Sequence, residues 1–103
     1  MIRLRRGRFA DLVSRQLDLF ATDEAALLDE AQQAGKAYTR ADRDSSEEAF
    51  GDWQLIVDAV GDRLLDLRET YAATLDDDAG AEYRRAFNRA AESRFRDFTE
   101  LLR

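Results

Sequence analysis

The sequence contains no cysteine, no histidine and no proline among its 103 residues. The absence of cysteine excludes disulfides, thiolate nucleophiles and sulfur-ligated metal centres. The absence of histidine removes the side chain best suited to proton transfer near neutral pH and the commonest metal ligand. Without proline, no residue forces a helix to break. We therefore expect no metal and no other cofactor, and most familiar catalytic arrangements are excluded.

Long apolar runs are also missing from the sequence. No segment approaches the ~20 apolar residues that a membrane helix needs, and no apolar stretch follows the basic N-terminus as it would in a signal peptide. Lysine occurs once, at Lys36, and the prevalence of arginine is typical of GC-rich bacterial genomes. A composition of 45% hydrophobic and 37% charged residues indicates one folded domain. We expect a cytoplasmic protein that does not associate with membranes.

The apolar residues that follow the N-terminal arginines recur with a helical period and predict a first helix over residues 9–42. They are Phe9, Leu12, Val13, Leu17, Phe20, Leu27, Leu28, Ala31, Ala34 and Tyr38. A polar interruption at residues 21–24 leaves the phase of this pattern unchanged. Thr22 is a candidate cap for a separate second helix, but the preserved phase favours one long helix.

Two further helices are predicted over residues 46–75 and 79–102. Ser45 and Glu48 have the spacing of a capping box at the start of the second helix. That helix carries apolar residues at two positions of a seven-residue repeat, as in coiled coils. Asp77 or Asp78 is the expected cap of the third helix.

Short turns between long helices place neighbouring helices antiparallel. The resulting register pairs Trp53 with Gly35 and with Leu101, and Tyr71 with Tyr83. Apolar residues face apolar residues at nearly every level, and this agreement between levels favours the fold. We predict an all-α, up-down-up three-helix bundle of residues 9–103, preceded by a basic extended arm of residues 1–8.

Charge is distributed unevenly along the chain. Residues 42–82 have a net charge of −10, whereas residues 1–22 and 83–103 each have a net charge of +3, and the whole chain has −6. The acids of the second helix fall mostly off the predicted seam, so we interpret them as a solvated face and expect no metal site. They are Asp52, Asp58, Asp62, Asp66 and Glu69.

The basic arm is the main candidate for binding a partner. Its cationic residues are Arg3, Arg5, Arg6 and Arg8. In one interpretation the arm folds back on the acidic turn at residues 76–78, which would contribute little stability. In the other it binds a partner, since Ile2 and Leu4 alternate with arginine and suit a sheet edge or a groove. The sequence leaves both interpretations open.

Glu24 interrupts the apolar stripe of the first helix. The predicted register places it within reach of Arg63 and Arg89, so we interpret it as a buried ion pair that fixes the helix register. The alternative is a carboxylate with a raised pKa at the centre of an enzyme or metal protein. Because the sequence offers no second catalytic group, the structural interpretation is favoured.

We therefore expect a non-enzymatic helical protein-interaction or scaffold module that self-associates, with a homodimer favoured. Surplus apolar residues at Leu19, Ile56 and Leu65 motivate self-association. The alternative is a nucleic-acid-associated protein that uses the arm and the third helix. We consider nucleic acid an unlikely partner because the chain is acidic overall and shows no continuous basic stripe.

Overall fold

The computed structural model describes residues 7–103, which form four α-helices and two short 3₁₀ turns. The helices are α1 (Ala10–Asp23), α2 (Ala25–Arg40), α3 (Ser46–Ala72) and α4 (Asp77–Arg94). The 3₁₀ turns, Arg96–Phe98 and Glu100–Leu102, lie in the C-terminal segment, residues 95–103. The described residues contain no strand, so this part of the chain is all-α.

The helices follow an up-down-up path. α1 and α4 are parallel, because Phe9 lies edge-on to Tyr83 at a centroid distance of 5.6 Å and Phe20 lies edge-on to Phe95 at 5.4 Å. α3 runs antiparallel to α4, and Tyr71 contacts Tyr83 at 4.8 Å between them. α2 packs mainly on α3, whereas α1 packs mainly on α4. The predicted path is therefore present, but it is built from four helices.

The predicted first helix, residues 9–42, is divided at Glu24. Its backbone (φ −105°, ψ 23°) departs from helical values, although its N–H still donates to the Phe20 carbonyl at 2.8 Å. The Thr22 hydroxyl donates to the Asp18 carbonyl at 3.3 Å, an interaction that often bends helices. The bend lets α1 follow α4 while α2 follows α3. The continuous hydrophobic phase is preserved across it, which is why the sequence pattern conceals the division.

The turn between α2 and α3 is held by Asp42. Ala41 has extended backbone angles and ends α2. The Asp42 carboxylate accepts hydrogen bonds from the Ser45 backbone N–H at 3.0 Å and from its hydroxyl at 2.9 Å. Both hydrogen bonds lower the pKa of Asp42, and the one from the Ser45 backbone N–H has the larger effect. The predicted capping box is therefore wrong, because the Ser45 side chain is bonded to Asp42 and makes no cap on α3.

The cap of α4 is Asp76, one residue before the earlier of the two predicted caps, and the helix ends well before residue 102. The Asp76 carboxylate accepts from the Ala79 N–H at 2.8 Å and caps the helix. The helix ends at Arg94, because Phe95 leaves the helical region at φ −130° and ψ 45°. The third helix predicted over residues 79–102 is thus wrong in its last third, after Arg94.

The C-terminal segment turns back across α3 and α4. A straight helix would place Leu102 about 21 Å from Asn88 at 1.5 Å per residue, yet the Asn88 Nδ2 atom lies 3.2 Å from the Leu102 carbonyl oxygen. The reversal buries Thr99 and Leu102. Burial of these residues against the bundle explains why the backbone leaves the helical conformation at Phe95.

The core runs along the middle of the bundle. Its largest fully buried apolar side chains are Val13, Leu17, Val60, Leu64, Tyr83 and Phe87. The Tyr83 hydroxyl donates to Gln16 Oε1 at 2.7 Å, which satisfies the polar group of the largest of them. Ile56 and Leu65, predicted to be surplus apolar residues, pack against this core, whereas Leu19 remains 63% exposed.

Candidate interaction surfaces

Glu24 and Arg63 form an ion pair at the bend between α1 and α2. Arg63 Nη1 donates to both Glu24 carboxylate oxygens, at 2.7 and 2.8 Å. The hydrogen bond that Arg63 donates to this carboxylate also raises the pKa of Arg63. Arg89 is exposed on α4 and, within the described part of the chain, forms no ion pair with Glu24. The pair joins the bend to α3, but it is not the buried pair that the sequence predicts, because the Arg63 side chain is 56% exposed.

The N-terminal arm is described from Gly7 onward. Arg8 is exposed, and its guanidinium carbon lies 4.8 Å from the centroid of the Phe9 ring. Arg3, Arg5 and Arg6 lie outside the described residues.

The acids of α3 are mostly solvent-exposed. Asp52, Asp58, Asp62 and Asp66 are all exposed. Within residues 7–103, no group of three acidic side chains is placed to hold a metal ion. Glu69 is half-buried and belongs to a different arrangement.

A polar cluster, defined here as Arg68, Glu69, Arg84, Asn88 and the Leu102 carbonyl, joins α3, α4 and the C-terminal segment. Arg84 donates to both carboxylate oxygens of Glu69 at 2.9 and 3.0 Å, and Arg68 donates to one of them at 2.9 Å. These hydrogen bonds lower the pKa of Glu69, and those from Arg84 have the largest effect.

The polar cluster also fixes the end of the chain. Arg68 Nη1 donates to Asn88 Oδ1 and to the Leu102 carbonyl, both at 2.9 Å. The Arg68 side chain is only 12% exposed, so a fully charged group is held at the edge of the core by these acceptors. The antiparallel register of α3 and α4 alone places Glu69 near Arg84. No feature of the sequence indicates that the C-terminal segment reverses and brings the Leu102 carbonyl to Arg68.

The Trp53 groove is an open cleft of about 770 Å³ between α2 and the C-terminal segment. Its apolar surface is formed by Leu28, Ala31, Gly35, Tyr38, Trp53, Phe95 and Phe98. The predicted contact of Trp53 with Gly35 is present, because a Cβ atom added to Gly35 would lie 3.0 Å from Trp53 Cζ3. The predicted contact with Leu101 is replaced by Phe98, whose ring centroid is 6.3 Å from that of Trp53, while Leu101 lies over Gly61.

The groove exists because α4 stops at Arg94. Beyond that level α2 and α3 continue as a two-helix hairpin, and among residues 7–103 only the C-terminal segment lies beside them. The aromatic pair Tyr38 and Phe50, 5.3 Å apart, is therefore 39% and 46% exposed. A third helix extending to residue 102, as the sequence predicted, would have occupied this space.

Charged residues border the Trp53 groove unevenly. Lys36 and Arg40 lie one helical turn apart on α2, and Asp97 lies on the C-terminal segment. Within residues 7–103 neither cation forms an ion pair or a hydrogen bond. The groove is therefore an apolar cleft with two free cations on one side.

Comparisons of the chain with protein-family models, with curated proteins and with solved structures gave no match. The described helices include none that is both long enough and apolar enough to cross a membrane.

Proposed function

We propose that the protein is a non-enzymatic helical module for protein–protein interaction, which binds a partner helix in the Trp53 groove and also self-associates. The observation that carries this proposal is the groove itself: an open apolar cleft with aromatic walls, in a chain without cysteine or histidine. Tryptophan and tyrosine are enriched among the residues that dominate binding energy at protein interfaces.

The shape of the groove suits an amphipathic helix. Its long side is one face of α2, from Leu28 to Arg40, which at 1.5 Å per residue extends over about 18 Å. A partner helix can place apolar residues from successive turns along such a surface, as in other helix-in-groove complexes. Trp53, half-buried at the floor, supplies a wide contact that requires little side-chain rearrangement.

The charge of the groove specifies the partner further. Lys36 and Arg40 are separated by one turn, so a partner helix with carboxylates one turn apart would meet both cations. Glutamate or aspartate beside an apolar stripe is therefore the expected chemistry of the partner. The same arrangement would repel a basic helix.

The test uses two designed peptides of about 18 residues, a length at which a helix can form. Both carry leucines on one helical face; one carries flanking glutamates and the other flanking lysines. Trp53 is the sole tryptophan of the chain, so its emission reports directly on the groove. We expect the glutamate peptide to shift that emission to shorter wavelength and to bind about tenfold or more tightly than the lysine peptide.

Charge reversal provides the control for this test. Lys36→Glu together with Arg40→Glu should invert the preference between the two peptides. Arg85→Glu together with Arg89→Glu, on the exposed face of α4, should leave it unchanged. Absence of any change in Trp53 emission, or an unchanged preference in the reversed variant, would refute the groove as a binding site.

The proposed self-association is supported by Leu19, which stays 63% exposed on α1. A two-fold dimer is the commonest closed assembly. Light scattering of the full chain at micromolar concentration should give twice the chain mass of 11.8 kDa. A mass of one chain at high concentration would contradict self-association without affecting the Trp53 groove.

A further inference from the structure

A second groove lies between α1 and α3. It lies on the side of α1 opposite to another groove, which α1 forms with α4. It has a volume of about 550 Å³ and is lined by apolar residues Leu19, Phe20 and Leu67. Asp23 lies on its α1 side and Asp66 on its α3 side. We call this cleft the acidic groove.

The two aspartates of the acidic groove are free to receive cations. Both are exposed, and within residues 7–103 neither makes a hydrogen bond or an ion pair. Glu24, which also lines the cleft, is already neutralised by Arg63. An occupant that combines apolar and cationic side chains would cover Leu19 and pair with both aspartates.

Residues 1–6 of this chain have that combination. Ile2 and Leu4 alternate with Arg3 and Arg5, so in an extended conformation the apolar side chains share one side and the cations the other. Arginine forms directional, paired hydrogen bonds with carboxylates, which suits recognition of Asp23 and Asp66.

The arm of the same chain does not reach the acidic groove. Gly7 lines the groove between α1 and α4, on the far side of α1. Ile2 is five residues from Gly7, at most about 17 Å of extended chain. The α1 residues of the acidic groove, from Gln16 to Glu24, lie about 14 to 26 Å along the helix from Gly7, and the path must also pass around a helix about 10 Å across.

We propose that residues 1–6 of one protomer bind the acidic groove of a second copy of the chain, and that the exchange is reciprocal in a two-fold dimer. This inference rests on the self-association in the proposed function and is independent of the Trp53 groove. Contact between apolar residues of the arm and Leu19 supplies burial, and the arginine–aspartate pairs supply orientation. Because those pairs lie at the surface, the dimer weakens as salt concentration rises.

Charge exchange between two variants tests the proposal. The first variant carries Arg3→Glu and Arg5→Glu; the second carries Asp23→Arg and Asp66→Arg. In a sample of either variant alone, the arm and the acidic groove would carry charges of the same sign. The dimer dissociation constant of each variant should therefore rise about tenfold or more, so that each is monomeric. Mixed together, the acidic arm meets the basic groove and the basic arm meets the acidic groove. Native mass spectrometry should therefore detect a heterodimer.

The outcomes separate this proposal from the proposed function. A wild-type chain that is monomeric would refute self-association itself, and with it the arm exchange. Variants that remain homodimeric would refute the arm exchange while leaving self-association intact. Monomeric variants that fail to combine on mixing would also refute it. At a concentration where the wild type is also monomeric, circular dichroism should show that the Asp23→Arg, Asp66→Arg variant melts like the wild type, because both aspartates are exposed.

A labelled peptide of residues 1–9 provides a second measurement that needs no folded variant. It should bind the wild-type chain in competition with dimer formation and lose binding when Ile2 and Leu4 are replaced by serine. A peptide that binds equally well with serine at those positions would show that charge alone drives the contact and would refute docking in the acidic groove.

Discussion

The contact between Gly35 and Trp53 gives the sharpest test of the packing. A Cβ atom on Gly35 would lie 3.0, 3.4 and 3.6 Å from three carbon atoms of the Trp53 ring. Alanine in a helix interior is more favourable than glycine by about 1 kcal/mol. At Gly35 the clash offsets this gain, so Gly35→Ala should be close to neutral. Leucine adds a larger side chain to a filled position and should destabilise the protein by about 1–3 kcal/mol.

Gly51 is the matched control for this experiment. It lies inside α3, and a Cβ atom added there would have no neighbour within 4 Å. Gly51→Ala should therefore gain the full propensity difference of about 1 kcal/mol, which corresponds to about 4–8 °C in melting temperature for a domain of this size.

Thermal melting followed by circular dichroism, together with Trp53 emission, measures both effects. The Gly35→Leu variant should melt at a lower temperature and show red-shifted emission, because the ring is displaced into the open groove. Equal stabilisation by alanine at the two glycines, or a Gly35→Leu variant as stable as the wild type, would refute the contact.

Three further predictions concern capping and titration. Asp76→Ala removes the side-chain cap of α4 and should cost about 1 kcal/mol in urea unfolding; an unchanged midpoint would contradict the cap. Glu69→Gln should lower the melting temperature at neutral pH. The difference from wild type should fade below pH 4.5, because the folded state holds the pKa of Glu69 below that ordinary value. A lower melting temperature that persists in acid would contradict a charge-dependent role. Burial raises the pKa of Tyr83 to about 12, so stability should fall as pH rises above 10.0, and an ultraviolet titration complete near pH 10 would contradict its burial.

The antiparallel register set by the turn was sufficient to predict the packing of α2 on α3. The predicted contact of Gly35 with Trp53 follows from counting outward from one turn, and it is present. The Glu24–Arg63 pair lies at the same register. These contacts were predictable because two long helices joined by a short turn have a single antiparallel alignment that faces apolar residues with one another.

The division of the first helix and the reversal of the C-terminus were not predictable in this way. The hydrophobic phase continues through Glu24, so a periodicity argument cannot distinguish a bent helix from a straight one. Phe95, Phe98 and Leu102 fit a helical stripe equally well, but Phe98 and Leu102 lie in two 3₁₀ turns, and of the three only Leu102 is fully buried. That choice depends on tertiary packing and on hydrogen bonds to the Leu102 carbonyl. The Trp53 groove is a consequence of the reversal, so the candidate site was hidden from the sequence.

Nuclear magnetic resonance can locate the surface on which an acidic amphipathic helix binds the chain. The measurement is the change in backbone amide shifts of the full chain as the glutamate-flanked peptide is added. If the peptide binds in the Trp53 groove, the largest changes should fall on α2 from Leu28 to Arg40 and on residues 95–98, while the amides of Asp23 and Asp66 keep their positions. Changes concentrated elsewhere on the bundle, or none at all, would refute binding in the Trp53 groove.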